Sequence, residues 1–315
     1  VYNGSKRLKT IEQEKLNNRV ADLDVATSEN DIRQSIAQTY IQILYAAESV
    51  KVNENTLQVS EAQRDRGKQL LDAGSIARSD YAQLEAQVST DRYQLVTAQA
   101  TLQDYKLQLK QLLELDGEQE MQIYLPVLGD ENVLSPLPTK ADVFQAAVAL
   151  RPEIEASKLS VEASELGIGI ARSGYLPSVS LTAGIGTNHT SGSDFTFGEQ
   201  VKNGWNNSIG LSISVPIFNN RQTKSAVEKA KLQYQTSQLT LLDEQKTLYK
   251  TIEGLWLDAN SAQQRYAAAV EKLRSTQTSY ELISEQFNAG MKNTVELLTE
   301  KNNLLQAQQE LLQSK

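Results

Sequence analysis

Two short segments of the chain combine charged and polar side chains at a spacing that suits ion pairing and helix capping. Each segment follows an Ala-Gly pair, at Ala73-Gly74 and at Ala289-Gly290. The side chains are Arg78, Ser79 and Asp80 in the first segment, and Lys292 and Glu296 in the second. Acidic residues are favoured in the first turn of a helix, and exposed ion pairs contribute only about 0 to 1 kcal/mol. These residues therefore predict polar contacts at the start of two helices.

Composition excludes several kinds of chemistry. The chain has 315 residues, no Cys and one His, His189, so thiol chemistry and cysteine zinc sites are absent. The sequence has no nucleophile-base pair, phosphate-binding glycine loop or metal-ligand spacing. We therefore predict no enzyme and no cofactor. An excess of 39 acidic over 31 basic residues also argues against a nucleic-acid partner.

The charged segments are predicted to lie at the ends of long helices that occur twice. From Ile252 to Leu273 the apolar residues step three and four positions alternately, which is a coiled-coil seam. A shift of 216 residues places Tyr2-Asn3 on Phe218-Asn219 and Ala73-Gly74 on Ala289-Gly290. An internal duplication follows, with two antiparallel helical hairpins.

The whole sequence predicts a mainly α fold with a small β part, and it divides into five regions. They are the first repeat at 1–115, a Pro-rich equatorial linker at 116–139 with a short strand at 121–125, a feeding helix at 140–176, a β-hairpin at 177–218, and the second helical hairpin at 219–315. Arg151-Pro152 is expected to interrupt the feeding helix, because the residue before proline is pushed out of the helical region.

The β-hairpin has one wholly aliphatic face. Its residues are Val179, Leu181, Ala183 and Ile185 in the first strand and Ile209, Leu211, Ile213 and Val215 in the second. The intervening residues are small or hydroxylated. Each run is about as long as a tilted strand that crosses the hydrocarbon core of a bilayer. A strand of a soluble sandwich has the same alternation, so the pattern alone leaves both interpretations open.

Several segments together resemble the outer membrane efflux protein family, the TolC-like outer membrane factors. They are 171–181 entering a strand, 215–219 leaving one, Arg151-Pro152 before the feeding helix, and 287–290 at a hairpin tip. The resemblance implies a homotrimer in which the strands close a membrane β-barrel and the helical hairpins form an α-barrel through the periplasm. It implies a location in the outer membrane of a Gram-negative bacterium, in contact with its lipid, and a duct for drug efflux or type I secretion. Its partners would be a periplasmic adaptor protein and an inner membrane pump or exporter.

The resemblance also implies roles for the tip residues. The turns at Ala73, Gly74, Ser75, Ala289, Gly290 and Met291 would dock the adaptor. Arg78, Ser79, Asp80, Phe287, Lys292 and Glu296 would gate or constrict the entrance. Asp80 matches an aspartate that bonds a tyrosine and a basic residue of the second tip, but Phe287 stands at the tyrosine and lacks its hydroxyl. Thr299 replaces a second acid, so a less negative constriction is expected.

A soluble coiled-coil structural or adaptor protein of the envelope is the alternative. The paired amphipathic strands and the duplication favour the duct, because an adaptor needs neither. The first repeat has no counterpart of the feeding helix and β-hairpin before Val1. We therefore expect the chain to be part of a longer protein.

Overall fold

A computed structural model of the chain describes residues 2–116, 121–126, 133–192 and 194–315. Its elements in chain order are β1 Tyr2–Asn3, α1 Lys6–Asp72, α2 Arg78–Leu112, α3 Lys140–Leu150, α4 Pro152–Arg172, a short 3-10 turn Ser173–Tyr175, β2 Ser178–Gly186, α5 Phe197–Asn203, β3 Asn206–Ser214, α6 Gln222–Asn288 and α7 Thr294–Ser314. The fold is mainly helical with one small sheet, as predicted.

The structure contains the two long helices that the repeated seam predicts. α1 and α6 each contain 67 residues, or about 100 Å at 1.5 Å per residue. α2 is shorter than expected and ends at Leu112, because Glu114 adopts a left-handed backbone and Leu115 N–H closes onto the Lys110 carbonyl. Pro152 starts α4 directly after α3, so the expected interruption at Arg151-Pro152 is confirmed.

The backbone repeats its special conformations at the offset of the duplication. Gly4 and Ser5 have φ of 64° each, and the matching Asn220 and Arg221 have φ of 50° and 61°. In both repeats the left-handed pair lies directly before a long helix, α1 from Lys6 and α6 from Gln222. Gly74 and its matching residue Gly290 also have nearly equal φ, 73° and 72°. The duplication is thus also a duplication of local geometry.

The chain divides into two compact units. The sheet unit comprises Val1–Thr27 and Phe144–Lys250, and the tip unit comprises Ser28–Val143 and Thr251–Lys315. The boundary between the units falls inside α1, α3 and α6.

The sheet unit contains a three-stranded antiparallel sheet with the order β1-β2-β3. Tyr2 pairs with Val179, so a short strand precedes α1, while Val1 lies outside the described residues. β2 and β3 pair Leu181 with Leu211 and Ala183 with Ile209, so the aliphatic residues of the two strands form one face, as the alternation predicted. Val215 is an exception, since β3 ends at Ser214 and Val215 follows the strand.

Helix α4 anchors the sheet unit by contacting both long helices. Gln13 of α1 donates to the Ala163 carbonyl of α4 at 2.7 Å, and Ser164 of α4 bonds Ser237 of α6 at 2.8 Å. Ile154 is only 1% exposed and lies in the core of this unit. The feeding helix therefore packs on both repeats of the duplication.

The tip unit contains α2, α7, and the parts of α1 and α6 that they pack on. Two aromatic side chains at matching positions of the repeats bond the Pro-rich linker: the Tyr40 hydroxyl donates to the Tyr124 carbonyl at 2.7 Å, and Trp256 Nε1 donates to the Pro138 carbonyl at 3.0 Å. The expected strand at 121–125 is wrong, because the described residues 121–126 have no strand partner. Linker residues 117–120 and 127–132 lie outside the described residues.

Within the described ranges, no helix is both long enough and apolar enough to cross a membrane.

Candidate functional site

The two tips have the same turn. After α1, Gly74 N–H bonds the Leu71 carbonyl at 2.9 Å and Ser75 N–H bonds the Leu70 carbonyl at 2.8 Å. After α6, Gly290 N–H bonds the Phe287 carbonyl at 2.9 Å and Met291 N–H bonds the Gln286 carbonyl at 2.9 Å. Both are Schellman motifs, which need a left-handed residue. The docking residues predicted from the resemblance are all exposed here: Ala73, Gly74, Ser75, Ala289, Gly290 and Met291.

The helix that leaves each tip begins with an acid at its third position. The Asp80 carboxylate accepts from Ala77 N–H at 3.3 Å, and the Glu296 carboxylate accepts from Asn293 N–H at 3.3 Å. The second tip has a reciprocal bond, because the Asn293 side chain accepts from Glu296 N–H at 2.8 Å. Ala77 has no side-chain acceptor, so the cap of α2 is one-sided. The two acids thus hold helix starts in place.

Lys292 and Glu296 form an ion pair on the second tip, with Nζ and Oε1 2.7 Å apart. The bond from Lys292, followed by the bond from the Asn293 backbone, lowers the pKa of Glu296 below its ordinary value. Among the ion pairs of the described residues none joins Asp80 to Lys292. The structure therefore brings Lys292 to Glu296 and leaves Asp80 on its own helix start.

The Glu296 pair predicts an acid-sensitive second tip. Because the pKa of Glu296 is lowered in the folded chain, its stabilising effect is complete above the ordinary value of 4.5 and is lost as pH falls through the folded pKa. We expect the melting temperature of Glu296→Gln to lie below that of the parent protein at about pH 7, and this difference to shrink between about pH 5 and about pH 3. Thermal unfolding followed by circular dichroism measures it.

Lys292→Met serves as the companion variant, because it removes the first cause of the shift and leaves the carboxylate. It should show a weaker pH dependence than the parent. A melting-temperature difference for Glu296→Gln that stays constant down to about pH 3 would contradict the assignment.

Phe287, predicted at the entrance, lies in the apolar core of the tip unit. It is 2% exposed and packs with Leu70, Leu84 and Leu297, which come from α1, α2 and α7. Two polar contacts lie beside this core: Arg66 donates to the Asn288 carbonyl at 3.0 Å, and Gln63 donates to the Tyr280 hydroxyl at 2.7 Å. Phe287 thus holds the two hairpins together, while Arg78 and Ser79 are exposed on α2.

Comparison with known proteins decides the family. Residues 143–315 match the family model described as "Outer membrane efflux protein". The chain belongs to the outer membrane efflux protein family.

Several members of this efflux family are similar to the chain over nearly its whole length. The outer membrane protein TolC of Escherichia coli is 25% identical over 305 residues, which cover 93% of this chain and 60% of TolC. The outer membrane efflux protein BepC of Brucella suis is 24% identical and covers 91% of this chain and 60% of BepC. The solved structure of the outer membrane protein VceC of Vibrio cholerae has a TM-score of 0.84 at 17% identity, over 99% of this chain and 72% of VceC.

Membership of the efflux family confirms the predicted outer membrane location. The relatives are outer membrane efflux proteins and not enzymes. This efflux-family chain spans about three fifths of the length of the TolC and BepC sequences that it matches.

Sequence reasoning missed the polar residues inside the tip unit of this efflux-family chain. Asp91 is a polar residue on the apolar seam of α2, three residues after Val88 and four before Leu95. The signal for Lys301 was its place four residues after Leu297, on the face of α7 that an apolar residue should occupy. A search for one acidic and one basic residue that each interrupt an apolar seam would have identified the pair.

Proposed function

We propose that the chain is part of a trimeric outer membrane channel that gives an exit duct from the periplasm for drug efflux or type I secretion. The β2–β3 hairpins of the assembled protein contribute to a membrane β-barrel, and the long hairpins line an α-barrel in the periplasm. The tips lie at the entrance and dock a periplasmic adaptor protein joined to an inner membrane pump or exporter.

The observation that carries this proposal is the sheet. Its aliphatic side chains pair across β2 and β3 in register, yet they are exposed along the hairpin: Leu181 by 58%, Leu211 by 68% and Ile209 by 83%. An apolar stripe of this kind marks a surface that another apolar medium covers. The opposite face pairs Ser180 with Ser212, as suits a face turned away from lipid.

Two features of the tips support their role at the entrance. Residues 73–75 and 289–291 of the turns are exposed, while Leu70 and Phe287 behind them are buried. The turn backbone and Met291, which is 71% exposed, are therefore accessible to a partner. Asp80 and the Lys292–Glu296 pair place charge beside these turns. Charges that surround a narrow passage control the entry of ions.

The channel is tested by the mass of the full protein in detergent and by its conductance in a planar lipid bilayer. We expect a trimer that requires detergent and conducts ions. A monomer or dimer that stays soluble without detergent would overturn the channel and favour a soluble coiled-coil protein of the envelope.

The entrance role is tested separately with Asp80→Asn and Lys292→Gln. We expect each to raise the conductance severalfold, because it removes a charge beside the tip turns, where the family resemblance implies contacts that close the entrance of the assembled protein. Arg92→Gln is the matched control, since it breaks the exposed Arg92–Glu61 pair of the same unit, at 3.0 Å, away from the tip turns. Unchanged conductance in both tip variants would overturn the gate and leave the channel standing.

A further inference from the structure

An ion pair is buried where three helices of the tip unit meet. Asp91 of α2 is 1% exposed, Lys301 of α7 is 3% exposed and Ser60 of α1 is 2% exposed. The Lys301 ammonium donates to Asp91 Oδ2 and to the Ser60 hydroxyl oxygen, and the Ser60 hydroxyl donates to the same carboxylate oxygen. Gln87 Nε2 donates to Asp91 Oδ1 at 2.8 Å. Both carboxylate oxygens therefore have donors.

Charges at such a depth must be compensated. Burial lowers the pKa of Lys301, and the bond with Asp91 acts in the opposite direction. Two buried charges that are fully bonded to each other are tolerated, whereas either charge left alone is strongly unfavourable. A contact of this kind adds little to stability compared with apolar packing, but it discriminates sharply between partners.

The duplication contains the pair only once. The residue that matches Asp91 in the second repeat is Ala307, which is fully buried, and the residue that matches Lys301 in the first repeat is Glu85, which is exposed. The first hairpin thus carries only the buried acid, and the second carries only the buried base. If another copy of the first hairpin took the place of the second on this seam, its Glu85 would face Asp91, and two carboxylates would be buried together. If two copies of the second hairpin paired on it, Lys301 would be buried against Ala307 without an acid.

We propose that Asp91 and Lys301 determine which hairpins pair, so that a first-repeat hairpin packs on a second-repeat hairpin and not on another copy of itself. The seams of the two hairpins are similar because they arose by duplication, and apolar seams alone discriminate poorly between such partners. The inference concerns assembly and holds whether or not the protein conducts.

Pairing is measured by cross-linking in the full protein. The chain has no Cys, so Gln63→Cys and Tyr280→Cys, whose parent side chains are hydrogen-bonded at 2.7 Å, provide the only thiols from this chain for a short bismaleimide. Correct pairing links residues 63 and 280. A protein with Tyr280→Cys alone forms cross-linked chain dimers only when two second hairpins lie together.

The decisive variant is Asp91→Ala with Lys301→Met, which replaces the pair by apolar side chains; the buried Ala307 indicates that alanine fits this seam position. Such replacements generally allow folding. We expect the fraction of cross-linked dimers in the Tyr280→Cys background to rise about fivefold or more over the parent, because Lys301→Met removes the ammonium group that two paired second hairpins would bury. A cross-linking pattern identical to that of the parent would overturn the proposal.

Charge exchange gives a second, independent result that does not depend on the apolar variant folding. Asp91→Lys alone should lower the yield of folded protein about tenfold or more, since it places two ammonium groups in one buried site. Adding Lys301→Asp should restore at least about half of the yield, because the opposite charges meet again. An exchanged protein that folds no better than Asp91→Lys alone would overturn the proposal.

Discussion

Replacing Phe287 with alanine is expected to destabilise the tip unit by about 3 to 5 kcal/mol, the range for removing a buried aromatic side chain. Phe287 is 2% exposed and contacts residues of α1, α2 and α7, so the cavity would open where the two hairpins meet. Amide hydrogen exchange in the full protein measures the effect locally. Amides near the Leu84 and Leu297 contacts should exchange faster, while those of β2 and β3 should keep the parent rate.

Phe287→Leu is the matched variant for this prediction, because it keeps the site apolar and removes less volume. Phe287→Leu should lower the free energy of unfolding by less than about 1.5 kcal/mol. If Phe287 instead acted mainly at the entrance, alanine and leucine would alter conductance with little loss of stability. A cost below about 1 kcal/mol for alanine would therefore contradict its place in the core.

With β3 in the membrane β-barrel that we propose, arginine at Leu211 is expected to lower the free energy of unfolding by about 2 to 4 kcal/mol, the cost of a cation on a lipid-facing strand near the bilayer midplane. Leu211 pairs with Leu181 near the middle of the β2–β3 register and is 68% exposed in the single chain. Denaturant unfolding from lipid vesicles measures the difference between parent and variant.

Ser212→Arg is the control, because it adds the same side chain to the adjacent residue on the opposite face of β3. Ser212→Arg should leave the free energy of unfolding nearly unchanged if the serine face turns toward water. Equal costs at both positions would contradict a lipid-facing aliphatic stripe and would favour a sheet that is covered on both faces by protein.

The family resemblance implied an entrance role for Phe287, which stays a prediction, and the structure adds that its side chain is buried. A residue three positions before a tip glycine lies within one turn of the surface, but its direction depends on helix rotation. Here that rotation directs Phe287 into the core with Leu70 and Leu297. Asp80 and Glu296 keep their predicted places at helix starts, because capping is set by residues within one turn.

The sequence by itself determined the features that depend on neighbouring residues. The ends of α1 and α6 at their Gly-containing turns, the break at Arg151-Pro152 and the alternating faces of β2 and β3 follow from local backbone and side-chain rules. The duplication was equally readable, since matching positions adopt matching conformations at Gly74 and Gly290.

Only the tertiary structure decided which distant residues meet. The expected strand at 121–125 did not form in the described residues, because a strand needs a hydrogen-bonding partner along its length, and the Tyr124 carbonyl accepts instead from the Tyr40 hydroxyl. The Asp91–Lys301 pair joins residues 210 positions apart. Such contacts depend on how whole helices rotate and pair, and this is set by the sum of many packing contacts that no local pattern encodes.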